Sequence, residues 1–104
     1  MSDLIKTAPT LAMLRDVRDR ILELAARHGA MNVRVFGCIA RGTATPDSDI
    51  DFLVDWDYQR LTAWGSAGLW DELAALLGHP VDIASADELH WYVRDRVLRE
   101  AVPL

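Results

Sequence analysis

The sequence predicts a small α+β domain, an α/β mixture built on a mixed sheet of at least three strands flanked by helices. Three observations carry that expectation. Apolar residues keep a helical period up to Gly29, the period drops to two at Asn32, and two further apolar runs, "DIDFLVDW" and "HPVDIAS", are each followed by helical spacing. At 104 residues and 51% hydrophobic, the chain is the size of one domain with one core, so residues 1–104 are read as a single unit.

The first element opens at Pro9-Thr10, where Leu11, Leu14, Val17, Ile21, Leu24, Ala25 and His28 recur at helical spacing before Gly29 stops the run. Asp16 with Arg20 and Glu23 with Arg27 lie four apart on its outer face, pairs worth only about 0.2 to 0.5 kcal/mol each. Val33 and Val35 then alternate with Asn32 and Arg34 as in a half-buried strand ending at Gly37. "CIARG" has the length of a short helix, "TATPDS" is a loop of turn formers, and "DIDFLVDW" is a second strand. Leu69, Leu73, Leu76 and Leu77 mark another helix that Gly78 ends, with Ser66 as its expected cap. In the third strand Val81 and Ile83 share one face and Asp82 takes the other. Ser85 and Glu88 have the spacing of a capping box for a terminal helix carrying Leu89, Val93, Val97, Leu98 and Ala101, with a break expected near His90.

Composition removes several classes of function. A formal net charge of −5 argues against a general nucleic-acid binder, which relies on a basic surface. The single cysteine, Cys38, excludes an internal disulfide and a thiolate metal cluster, and fits a reducing, cytoplasmic setting. No apolar run reaches the roughly 18 residues of a membrane span, and the first ten residues lack the layout of a secretory signal. The three histidines are scattered, and His28 suits the negative end of its helix. Trp56, Trp64, Trp70 and Trp91 do not alternate with basic residues, so they suit a core or a partner surface better than base stacking. Asp55 and Asp57 read as solvated.

The chemistry concentrates in "VFGCIARGTATPDSDIDFLV". Asp49 and Asp51 leave one face of a strand, where two carboxylates repel each other unless a cation lies between them. Hard oxygen ligands of this kind suit Mg²⁺, and Asp82 is placed to join from a neighbouring strand. The alternative is structural: Asp49 closes the preceding turn and Asp51 pairs with Arg34 or Arg41. Gly37 ends a strand and opens a short helix, where amide N–H groups attract phosphate. Arg41 follows one turn later, equally suited to phosphate or to an acid partner.

At these residues the chain resembles the minimal nucleotidyltransferases of the DNA polymerase β superfamily, whose signature runs G-S-x-A-R-G, a short loop, then S-D-x-D and an apolar strand. Gly37, Ala40, Arg41, Gly42, Ser48, Asp49 and Asp51 fall on it, and "LLGHPVDIAS" with the tail "RVLREAVPL" extends the likeness to the C-terminus. The resemblance implies a polymerase-β-like fold in which Asp49, Asp51 and Asp82 are the catalytic carboxylates and hold Mg²⁺. It further implies that Gly37, Cys38, Arg41 and Ser48 bind the nucleotide, with ATP as substrate. Cys38 departs from the pattern, because the family usually has serine there; a thiol is a weak donor, which would reduce activity, and the alternative is a small buried residue that simply fits where serine fits.

The family includes the MntA-type antitoxins of HEPN/MNT toxin–antitoxin systems, which transfer AMP to a tyrosine of a HEPN-type ribonuclease toxin. The resemblance therefore implies an antitoxin adenylyltransferase acting within a hetero-oligomer with its toxin and making no direct contact with nucleic acid. The alternative is an antitoxin that neutralises its toxin by binding alone. Transfer to a small molecule such as an aminoglycoside fits less well, since that activity needs additional chain.

Overall fold

The computed structural model describes residues 7–60 and 65–104. The elements run α1 Leu11–Asp16, α2 Arg18–Arg27, β1 Ala30–Phe36, α3 Cys38–Arg41, β2 Ile50–Trp56, α4 Gly65–Leu77, β3 Val81–Ala84, a 3₁₀ turn Ala86–Glu88, α5 Trp91–Glu100 and β4 Val102–Pro103. The sheet has four strands in the order β3-β2-β1-β4. β1 is antiparallel to both β2 and β4, and β2 is parallel to β3, so the sheet is mixed as expected.

The core lies on one face of this sheet. Ile50, Phe52 and Val54 alternate along β2 toward that face and are buried, and Leu14, Ile21, Ala25, Leu69 and Leu73 of the helices pack against them. Each such side chain contributes about 1.5–3 kcal/mol when fully removed from water. Leu53 points the opposite way and is fully buried too, where the 3₁₀ turn packs on β2. β2 is therefore anchored on both faces, which holds its carboxylates in a fixed register.

The local departures from the sequence expectations have local causes. The first helix is two segments, not one: Thr10 caps α1 by accepting from the Met13 N–H at 3.1 Å, and the backbone breaks at Val17 (φ −113°, ψ 22°). Asp16 and Arg20 consequently sit on different segments and form no ion pair, whereas Arg27 and Glu23 within α2 meet at 3.1 Å. His28 ends α2 as expected and reaches Glu72 of α4 at 3.1 Å. Ser66 falls inside the range of α4, not ahead of it. The capping box at Ser85 does not form; its hydroxyl is buried without a hydrogen-bond partner while a 3₁₀ turn intervenes, and α5 starts after His90. Among the tryptophans, Trp56 packs against the core and Trp70 and Trp91 are exposed, while Trp64 lies outside the described residues. No helix among the described residues is long and apolar enough to cross a membrane.

Candidate active site

The site forms where β1 ends and β2 and β3 begin. Phe36 of β1 is the register partner of Asp51 in β2, and Asp51 is in turn the partner of Asp82 in parallel β3. Gly37 follows Phe36 directly, so the turn into α3 lies against the Asp51 carboxylate. Its backbone is left-handed (φ 75°), and a Cβ there would collide with the Asp51 carboxylate group. Both facts demand glycine: an L side chain is strained at that φ, and the space is already taken.

Asp51 is half-buried, whereas Asp49 and Asp82 are exposed. Its pKa is pushed up from 3.8 to about 6, first by burial, then by the charges of Asp82 and Asp49; Glu100 adds to the rise and Arg41 opposes it. The Asp51 side chain has no hydrogen bond or ion pair among the described residues. The three acids thus act on one another electrostatically, but no group of three or more His, Cys, Asp or Glu among the described residues is drawn together closely enough to hold a metal ion.

The structural alternative for Asp51 is not what the fold builds. Arg34 pairs with Asp55 at 3.0 Å instead, and Asn32 donates to the other Asp55 oxygen at 2.9 Å, so Asp55 is held and not merely solvated. Arg41 turns to Glu100: its Nη1 lies 3.0 and 2.9 Å from the two carboxylate oxygens, and that contact raises the arginine's pKa. The Gly37 N–H donates to Glu100 Oε1 at 2.6 Å. Glu100 is the residue that the sequence signature misses, because it comes from the far end of the chain and carries no spacing signal. Cys38 is partly buried, with its Sγ 3.6 Å from Arg41 Nη2. Ser48 closes the intervening loop by accepting from the Thr45 N–H at 2.8 Å and lies 3.2 Å from the Thr45 hydroxyl.

A glycine turn packed against a half-buried aspartate, on a small mixed sheet, is an arrangement suited to nucleotidyl transfer. The chain belongs to the nucleotidyltransferase domain family, whose model matches residues 14–104. It is 39% identical over 80 residues to protein adenylyltransferase MntA of Thermococcus cleftensis, covering 77% of this chain and 80% of that protein. A Methanocaldococcus jannaschii protein, MJ0435, whose name ascribes it the same activity, is 30% identical over 89 residues, 86% of this chain and 95% of its own. Among solved structures, one ascribed to a minimal nucleotidyltransferase superposes with a TM-score of 0.79 at 48% identity, covering 92% of this chain and 97% of that one. A toxin–antitoxin complex with AMP-PNP shares the fold at a TM-score of 0.66 and 23% identity, over 82% and 69% of the two chains. The protein is a nucleotidyltransferase of the minimal type.

Proposed function

We propose that the chain is an antitoxin adenylyltransferase that transfers AMP from Mg-ATP to a tyrosine hydroxyl of a cognate HEPN-type ribonuclease toxin. The observation that carries this is Asp51, left without a partner beside Asp82 and Asp49 and packed against the Gly37 turn. The donor set is hard carboxylate oxygen, and the charges of Asp82 and Asp49 on Asp51 are what a divalent cation relieves, so the donor chemistry suits Mg²⁺ once the three side chains close on it. Asp49, Asp51 and Asp82 would hold it, and when bound it supplies charge neutralisation for the triphosphate and the departing pyrophosphate. Gly37 gives the backbone its close approach to Asp51. Cys38 and Ser48 flank the same loop as nucleotide-binding groups, and Arg41 provides positive charge that acts on Asp51. Exposed Asp82 takes the proton of the acceptor hydroxyl. Positioning and charge account for most of such catalysis.

The names of the relatives support a protein acceptor, and the structural likeness to a toxin–antitoxin complex supports a toxin partner. Incubation with the product of the neighbouring toxin gene and Mg-ATP, followed by intact mass measurement, should show the toxin gaining AMP; an unchanged mass at saturating ATP would defeat the proposal. Cys38, whose sulfur faces Arg41 where the family has a serine hydroxyl, favours a second reading in which the chain neutralises its partner by binding alone. Neutralisation that survives Asp49→Ala with Asp51→Ala would select that reading. Cys38→Ser is expected to leave the fold unchanged and tighten ATP binding by calorimetry.

A further inference from the structure

Glu100 is the last residue of α5, and its side chain is only 17% exposed. It gathers three donor contacts from the turn of the site: the Gly37 N–H at 2.6 Å and Arg41 Nη1 to both of its oxygens. Its own place is fixed by the tail that follows. The Ala101 N–H closes α5 on the Val97 carbonyl at 2.8 Å, and β4 then pairs with β1, Val102 opposite Val35 and Pro103 opposite Arg34. The Leu104 N–H donates to the Val33 carbonyl at 3.3 Å, and Arg15 of α1 donates to the Pro103 carbonyl at 3.1 Å. β1 therefore delivers Gly37 to the site and also holds the tail that brings Glu100 back to it.

We propose that Glu100 is a positioning residue for the nucleotide, acting through Arg41 and the Gly37 turn. Its carboxylate holds the guanidinium by Nη1 and Nη2 turns to Cys38 Sγ, so the head group is fixed while its remaining N–H capacity is left for phosphate oxygens. It also absorbs the Gly37 amide, which keeps the turn closed against Asp51. A long flexible cation held in this way loses less freedom when its ligand arrives. This inference rests on the nucleotidyl-transfer reading above. The same geometry could instead describe a carboxylate standing where an anion binds, which ATP must displace; the two predict opposite signs.

Calorimetry of the full chain with Mg-ATP, well below the unfolding midpoint of every variant, distinguishes them. Glu100→Gln keeps the shape and removes the charge, and is expected to weaken ATP binding by about tenfold. Arg41→Ala should weaken it at least as much, and the double variant should lose less than the sum of the two single losses, because part of the glutamate's effect passes through the arginine. Glu100→Asp keeps the charge but retracts it by one methylene, and should also bind more weakly if Glu100→Gln fails to fold. Unchanged affinity in the folded glutamate variants, tighter binding, or additive losses in the double variant would overturn the proposal. A wild-type chain that binds no Mg-ATP would overturn the nucleotidyl-transfer reading itself, a result separate from any failure confined to the Glu100 variants.

Discussion

Asp51 and Asp55 leave the same face of β2 and meet opposite treatment. Asp55 receives Arg34 and Asn32, one on each oxygen. They reach it because β1 is irregular between Met31 and Arg34, with Asn32 held at φ 52°, so both side chains come round to one carboxylate. Asp51, half-buried, receives neither, and Arg41, whose charge reaches it, is committed to Glu100. The chain has the cations to neutralise its acids and places them elsewhere. A carboxylate kept half-buried, beside other acids and without a partner, is a costly arrangement for stability and a useful one for binding charge.

The comparison can be broken most severely through activity. Asp51→Ala with Asp49→Ala should reduce AMP transfer on the order of 10²–10³-fold, whereas Asp55→Ala should leave it within a few-fold, both read by initial rates of toxin modification. Equal losses would mean that the two acids do not differ in kind. Gly37→Ala comes next: the left-handed backbone and the collision with Asp51 should together lower stability by about 2–3 kcal/mol in urea unfolding. An effect under about 0.5 kcal/mol would show that the turn and Asp51 are not in close contact.

Asp55→Ala sharpens the other arm. It leaves Arg34, only 17% exposed, without its acid, and should cost roughly 1–2 kcal/mol. The smallest effect concerns pH. The folded chain holds the Asp51 proton with a pKa of about 6, above the ordinary 3.8, so the stability this group contributes is complete below about pH 4 and is lost as pH rises through about 6. Asp51→Asn should therefore be more stable than wild type by roughly 1 kcal/mol above about pH 7 in metal-free buffer, a figure reduced from the full shift because solvent reaches the group. The advantage should vanish below about pH 4. A constant difference across that range would exclude ionisation of Asp51 as its cause.

Legibility followed the range of the interactions. Periodicity located β1, β2, β3, α4 and α5, because which residues face a core is written into spacing; the break at Val17 and the 3₁₀ turn after Ser85 were hidden, since both depend on how the backbone is closed locally. Gly37, Asp49, Asp51 and Asp82 were singled out because glycine and paired carboxylates in a strand have few structural uses, and the fold sets Asp51 and Asp82 side by side. The ion pairs were not legible. Arg34 and Arg41 could each be matched to several acids, and only the bulge in β1 and the return of the tail chose Asp55 and Glu100.

By itself the amino-acid order determined the alternation of helix and strand, a glycine where β1 turns into α3 and the placing of acids at the start of β2. Folding decided what touches what: β4 on β1, Glu100 on the Gly37 turn, and Asp51 without an ion pair. The reason is separation along the chain. Contacts within a few residues are encoded by spacing and stereochemistry, whereas a bond between residues 41 and 100 exists only once the sheet has been assembled between them.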